Sequence, residues 1–181
     1  MYQNTEEEYA YRFCLLIILD EEKIAGMEGL KENFKYVLTG FNKIKRNNLG
    51  IVLEEPHLSR LNGKDHELLL KQIEMLRRMC LNQKIEMIMN QPGKMYASMF
   101  SLLAEALHRT MILVRYYAPD GDMLADIMEK LYFQEKCSTE TQLSREMSVS
   151  KATFYRRKQK AFMYAGYLFY QAVLPEMEGK I

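Results

Sequence analysis

Residues 139–162 (TETQLSREMSVSKATFYRRKQKAF) predict two helices on either side of a tight turn, which limits how the rest of the chain can fold. Leu143 and Met147 lie four residues apart and therefore share one helical face. Residues 148–150 then interrupt the helical pattern. Ser150 is placed to begin the second helix, because its hydroxyl can accept hydrogen bonds from the first unpaired backbone amides. The two helices would share a small apolar core made of Leu143, Met147, Val149 and Phe154.

The charged residues of the second helix are all basic. No acidic residue occurs from Lys151 to Met163, and the basic residues in this span are Lys151, Arg156, Arg157, Lys158 and Lys160. A basic helix held from behind by an apolar core is what a helix-turn-helix DNA reader requires, because its outer face must meet phosphates and base edges. The alternative is an ordinary solvated helix face that binds no nucleic acid.

The same residues resemble a known group of DNA-binding proteins. The string LSREMSVSKATFYRRK, residues 143–158, resembles the C-terminal helix-turn-helix of sigma factors and resolvases, and is most similar to the ArpU-like regulators of phages and prophages in Gram-positive bacteria. The shared signature is S-x-x-T-aromatic-Tyr-Arg before a basic run, beginning here at Ser150. Two positions depart from the pattern: Ser148 stands where the turn usually has glycine, and Arg157 where many such motifs have an apolar residue. The close resemblance covers about the last third of the chain and implies transcriptional control alongside RNA polymerase.

Within this motif the DNA contacts divide into two kinds. The residues expected to face base edges are Lys151, Ala152, Thr153 and Arg156, with Ala152 meeting a thymine methyl group. The residues expected to hold phosphates are Ser150, Arg157, Lys158 and Lys160. Tyr155 fits either role.

Helix-breaking residues are scarce in this chain of 181 residues, which contains nine glycines and four prolines. Leucine, methionine, glutamate and lysine are common and favour helices, so the sequence predicts an all-α protein. The Pro-Asp-Gly break at residues 119–121 divides it. We expect a helical bundle with a regulatory or oligomerisation role over residues 1–118. A tri-helical helix-turn-helix module that ends in a long apolar helix is expected over residues 119–181.

Several other segments have apolar residues at helical spacing. Thr5 and Glu8 are spaced as a capping box, which predicts a helix from Glu6 towards Leu19, although residues 15–19 (LLIIL) fit a strand equally well. The remaining predictions are an irregular connection over residues 51–64 and helices over residues 27–46, 65–90, 95–118 and 123–135.

Residues 161–174 (AFMYAGYLFYQAVL) continue the basic helix but are apolar or aromatic on nearly every side. A helix without a polar face must be buried on most sides. Two surfaces are able to cover it. One is the N-terminal bundle of the same chain, and the other is a second copy in a homodimer, which would suit a palindromic DNA site. Both stay open from the sequence, and Pro175 is expected to close the helix.

Signatures of enzymes and of bound metals are missing from the sequence. It has no glycine-rich phosphate loop and no G-x-S-x-G motif, and its three histidines do not have the spacing of metal ligands. Asp120, Asp122 and Asp126 match only part of a calcium loop. We therefore expect no catalytic residue, no metal and no cofactor.

The cysteines and apolar runs indicate a cytoplasmic protein. The three cysteines are far apart and form no C-x-x-C pair, which is typical of reduced thiols. The longest apolar run, residues 13–19, is too short to span a bilayer, and no signal peptide is expected. The net charge is only +1, so a basic segment near the C-terminus favours a specific nucleic-acid contact over general binding to polyanions.

The sequence therefore predicts a sequence-specific regulator of transcription that binds double-stranded DNA and belongs, as the resemblance implies, to a phage, prophage or mobile element. Two other functions stay open. One is a DNA-packaging or assembly component that uses the motif to recruit a helical oligomer to DNA. The other is a helical protein-protein interaction module whose basic helix binds an acidic protein.

Overall fold

The computed structural model describes residues 2–47, 70–71, 73–74, 77 and 94–181. Every regular element in these ranges is helical and none is a strand, so the predicted all-α class is confirmed. The predicted connection over residues 51–64 lies outside the described residues. The predicted helix over residues 65–90 does so too, apart from five helical residues between 70 and 77.

Eight α-helices are described, two of them extended by a π-helical turn. In chain order they are α1 (Tyr2–Tyr11), α2 (Glu21–Ala25), α3 (Glu28–Asn47), α4 (Lys94–Tyr117), α5 (Gly121–Met128), α6 (Glu140–Glu146), α7 (Lys151–Leu168) and α8 (Leu174–Met177). The π-helical turns are Glu129–Phe133, which extends α5, and Phe169–Val173, which joins α7 to α8. The helices predicted over residues 27–46, 95–118 and 123–135 are confirmed as α3, α4 and the extended α5.

The N-terminal segment differs from its prediction. Helix α1 begins at Tyr2, so Thr5 lies inside the helix rather than capping it, and the helix ends at Tyr11 instead of running towards Leu19. After Tyr11 the chain bends through tight turns in which amides bond to carbonyls three residues back. These turns bring Phe13 into the core, with its ring 5.3 Å from that of Tyr9. No strand forms over residues 15–19.

One large apolar core joins α1, α3, α4, α5 and the second half of α7. Helices α3 and α7 cross in close contact, and the crossing point is Gly166. A Cβ atom on Gly166 would lie 2.8 Å from the backbone oxygen of Leu30, so only glycine allows the two backbones to approach this far. Aromatic rings fill the space on either side, including the pair Phe34 and Phe169 at 5.4 Å between ring centres.

The apolar tail predicted from residues 161–174 is covered by its own chain. Phe162, Tyr164 and Leu168 are each at most 3% exposed within a single copy. Of the two surfaces considered, the N-terminal helices are therefore the one that buries the tail, and these apolar side chains are not left for a second copy.

The expectation that Pro175 closes the long helix is wrong. Helical structure continues from α7 through the π-helical turn into α8 and ends at Met177. Proline has no amide with which to continue an ordinary α-helical ladder. The π-helical turn takes up this change, because the amide of Leu174 bonds to the carbonyl of Phe169 five residues back.

A second, smaller apolar cluster lies between α5, α6 and the first turns of α7. Its buried members are Ile127, Leu131, Leu143 and Phe154. Helix α5 also supplies Leu124, Ala125 and Met128 to the large core. The two clusters thus share α5 and α7. The boundary at residue 119 stays a prediction, since the segments on its two sides are in extensive contact through these helices.

A buried network of charges ties the C-terminal end of the chain to α1 and α4. The guanidinium of Arg109, a residue only 3% exposed, bonds to Glu105 at 2.7 Å and to Glu176 at 2.6 Å. The hydroxyl of Tyr9 donates to Glu176 at 3.5 Å. Because the opposite charges are paired and hydrogen-bonded, their burial is tolerated and fixes how α1, α4 and α8 meet.

We expect Gly166→Ala to lower the free energy of unfolding by about 1–3 kcal/mol, because the new methyl group would press on the backbone of Leu30. Gly29→Ala is the matched control. A Cβ atom there meets nothing within 4 Å in helix α3, so stability should stay equal or rise by about 0.5–1 kcal/mol. Chemical denaturation of both variants measures the two effects. A Gly166→Ala variant as stable as the wild type would contradict the close crossing.

Candidate nucleic-acid interface

The turn between α6 and α7 has the geometry that the sequence predicted. Helix α6 begins with a capping box in which the Thr139 hydroxyl accepts from the amide of Gln142, whose side chain accepts in return from the amide of Thr139. At the turn itself Ser148 has a φ of +52°, the left-handed conformation that glycine adopts without strain. The amide of Val149 bonds back to the carbonyl of Ser144, which closes the turn.

Helix α7 is capped and anchored as expected. The Ser150 hydroxyl accepts from the amide of Thr153 at 3.1 Å, so the predicted N-cap is confirmed. Phe154 is 2% exposed and contacts the small cluster, so the predicted anchor is buried. Met147 and Val149 pack against the same cluster. The first turns of α7 are therefore held from behind, and one side of the helix is left facing solvent.

Four residues form the outer face of α7, namely Lys151, Ala152, Tyr155 and Arg156. They are spaced by one, three and one residues, so they share one side of the helix, and all four are exposed. Among the residues that the structure describes, neither Lys151 nor Arg156 has an ion-pair or hydrogen-bond partner. Two cations and an exposed aromatic ring are thus presented together without neutralising acids.

The other predicted site residues are placed differently. Ser150 is exposed at the cap, whereas Thr153 is half-buried and its hydroxyl accepts from that of Ser150 at 3.0 Å. Arg157 is half-buried, and no partner for its guanidinium is found in the described part of the chain. Thr153 therefore takes part in the cap, and Arg157 lies at the edge of the outer face.

Lys158 points back towards the protein instead of towards solvent. Its ammonium pairs with the Glu140 carboxylate of α6 and lies 5.6 Å from the centre of the Phe162 ring. Burial alone would lower the pKa of Lys158. The hydrogen bond to Glu140 and the neighbouring Tyr132 outweigh this effect, so the pKa is raised. Lys158 thus stays charged and joins α7 to α6, which differs from the phosphate contact expected of it.

Lys160 is also engaged within the chain. Its ammonium lies 2.9 Å from the Glu21 carboxylate at the start of α2, and the hydrogen bond to this carboxylate raises the pKa of Lys160. The side chain remains 46% exposed. Lys160 therefore links the N-terminal segment to the middle of α7. This contact is not predictable from the sequence, because the two residues are far apart along the chain.

Arg145 is an exposed cation of α6 that sequence reasoning missed. Both acids of α6 are paired with lysines from elsewhere, Glu140 with Lys158 and Glu146 with Lys130 at 3.4 Å. Arg145 keeps an unpaired charge three residues before the turn, so far as the described residues show. In the sequence Arg145 stands next to Glu146, and only the pairing of Glu146 with Lys130 shows that this acid is engaged elsewhere.

The acidic residues after α4 bind a guanidinium. Arg115 donates to Asp122 at 3.3 Å, to Asp126 at 3.1 Å and to Glu129 at 3.0 Å, which fastens α5 to the end of α4. Within the described ranges, no three histidine, cysteine or acidic side chains are grouped so that they could hold a metal ion. None of the described helices is both long and apolar enough to cross a membrane.

Comparison with protein-family models, with curated proteins and with solved structures found no match to this chain. The resemblance to ArpU-like regulators therefore stays a prediction.

Ser148→Gly should raise the free energy of unfolding by up to about 1 kcal/mol, because glycine adopts the left-handed turn without steric cost. Ser148→Ala keeps the Cβ atom and is the matched control, for which we expect no gain. Thermal or chemical unfolding of the two variants compares them directly. A loss of stability in Ser148→Gly would show that this serine does not occupy a strained position.

Proposed function

We propose that the protein is a sequence-specific regulator of transcription, of phage, prophage or mobile-element type, that binds double-stranded DNA through the outer face of α7. The observation that carries the proposal is the pair Lys151 and Arg156, which is exposed and lacks acidic partners among the described residues. This pair stands on a helix that is capped at Ser150 and anchored at Phe154. A helix that reads DNA must be held in this way. A mobile helix would lose conformational entropy when it binds, and this loss would weaken binding.

The spacing of the outer face suits the major groove. Lys151 and Arg156 are five residues apart, so their Cα atoms are separated by about 7.5 Å along the helix axis. This distance corresponds to roughly two base-pair steps of about 3.4 Å. Arg156 is suited to a bidentate contact with guanine, and Ala152 to contact with a thymine methyl group. Tyr155 lies between them and reaches either a base or the backbone.

The phosphate contacts are expected to come from the rim of this face. Arg157 beside it and Arg145 before the turn are basic and have no acidic partner in the described ranges. Ser150 adds a hydroxyl at the start of the helix. Lys158 and Lys160 act differently in this scheme. Their charges pair with Glu140 of α6 and Glu21 of α2, so they belong to contacts within the chain rather than to the outer face.

Partners other than DNA follow from the resemblance and from symmetry. Contact with RNA polymerase is proposed because the resemblance implies transcriptional control. A homodimer would suit a palindromic site. Its interface would have to lie mainly outside residues 161–174, since most of the apolar side chains there are buried within one chain.

Two competing functions predict different measurements. A DNA-packaging component would form a large, ring-like oligomer, which sedimentation detects. A module that binds an acidic protein would show no salt-sensitive binding to duplex DNA. Selection of bound sites from random duplex DNA with the purified full chain distinguishes both from a regulator, which should enrich one short sequence.

We expect Arg156→Ala to weaken binding to the selected site by about 1–3 kcal/mol and to relax the preference at one or two base pairs. Lys158→Gln is the control on the opposite side of the helix. It should leave the base preference and the salt dependence of binding unchanged, because its ammonium faces Glu140. Titration of labelled duplexes at several salt concentrations measures all three quantities.

The opposite pattern would refute the proposed register. If Arg156→Ala kept wild-type affinity and preference while Lys158→Gln lost them, the buried side of α7 would be the one that matters. Circular dichroism at the assay temperature confirms that both variants are folded, so that a loss of binding is not a loss of structure.

A further inference from the structure

The segment between α1 and α2 presents large apolar side chains to solvent. We name residues 11–19, which begin with the last residue of α1, the N-terminal loop. Leu15 is 90% exposed, Ile18 81% and Tyr11 76%, and Leu16 is also exposed. Isolated exposed apolar residues are common on protein surfaces, but a group of four within eight residues marks an interaction site.

The N-terminal loop is held in this arrangement by the core beneath it. Phe13 is 1% exposed, and Ile17 and Leu19 pack against the large core. The carbonyl of Phe13 accepts from the amides of Leu16 and Ile17, each at 2.9 Å. Phe13, Ile17 and Leu19 thus face inward and hold the backbone from which Leu15 and Ile18 project outward. Leu15 and Ile18 cannot turn inward without displacing side chains that already fill the core.

The surroundings of the N-terminal loop are acidic. Residues 6–22 contain a single base, Arg12, and six acids, which are Glu6, Glu7, Glu8, Asp20, Glu21 and Glu22. All of these acids except Glu6 are exposed. Glu21 pairs with Lys160, whereas Glu7, Glu8 and Glu22 have no basic partner among the residues that the structure describes. The acidic surface extends to the end of α4. There the pKa of the Tyr116 hydroxyl is raised. The largest cause is partial burial, and the carboxylates of Glu7 and Glu6 come next.

We propose that the N-terminal loop docks a partner protein through a segment that is apolar on one side and carries lysines or arginines around it. The apolar residues Leu15, Leu16 and Ile18 would bury against the partner, and the acids beside them would face its basic groups. This surface is separate from the outer face of α7, and the inference does not depend on DNA binding.

Charge argues for this occupant over the others. Two copies that met through the same loop would place their acids opposite each other, which opposes a symmetric dimer. A membrane with anionic lipids and the phosphates of DNA would be repelled for the same reason. A basic, amphipathic segment gains both from apolar burial and from the acids, so it is the chemistry that the surface fits best.

The test uses the full chain and a fluorescent, helical peptide in which leucines form one face and lysines the rest. We expect saturable binding by fluorescence anisotropy that weakens as salt increases. The double variant Leu15→Ser/Ile18→Ser should weaken binding at least tenfold. Ile181→Ser, which changes an exposed apolar residue at the C-terminus, is the matched control and should bind like the wild type. Glu7→Gln/Glu8→Gln should weaken binding and reduce its salt dependence.

Several results would overturn the proposal. They include no binding of the peptide, equal binding by Leu15→Ser/Ile18→Ser, or equal binding of a peptide with glutamates in place of the lysines. A dimer of the wild type that the double variant dissociates would show that a second copy occupies the loop. Protection of the Leu15 and Ile18 methyl groups from a soluble paramagnetic probe in the free protein would show that the chain itself covers them. We expect DNA binding by Leu15→Ser/Ile18→Ser to be unchanged. A failure of this docking proposal is therefore distinguishable from a failure of the proposed function.

Discussion

Helix α7 passes from the small apolar cluster into the large one, and the arrangement of the other helices depends on it. The first turns of α7 are anchored by Phe154 among α5 and α6, and its second half crosses α3 at Gly166. Between these points the Phe162 ring lies near two ammonium groups, 5.4 Å from that of Lys35 and 5.6 Å from that of Lys158. Cations over an aromatic face are attracted to it, so this ring joins the bundle to the turn region. The outer face of α7 therefore has a fixed orientation relative to the whole protein.

Paired charges fix the remaining helices around α7. Arg109 binds Glu105 and Glu176 in the interior, and Arg115 fastens the start of α5 to the end of α4. Such pairs contribute little net stability when compared with apolar residues of similar size. Arg109 is buried, so a packing of α4 and α8 that separated it from Glu176 would break a buried ion pair, which is costly.

The parts of the site that were predicted from the sequence are those determined by neighbouring residues. The Ser150 cap, the strained turn at Ser148 and the buried Phe154 all depend on interactions within a few residues or on simple periodicity. The orientation of basic side chains was not predictable in this way. Lys160 pairs with Glu21, from a distant part of the chain, and the ending of α1 depends on a bend that buries Phe13. Contacts between distant residues decide which cations of a basic helix are available.

Helix α7 extends well beyond its crossing with α3 at Gly166, so a small rotation at the crossing moves the far end of the helix. Arg156 stands ten residues away from this point, or about 15 Å along the helix. A rotation of about 10° around the crossing would therefore shift Arg156 by roughly 2–3 Å, which approaches the height of one base step. Because Gly166 has no methyl group, α3 and α7 approach closely at this point, and the position of the outer face depends on how the two helices cross. A larger side chain at that crossing would therefore move the outer face of α7 without changing any of the side chains on that face.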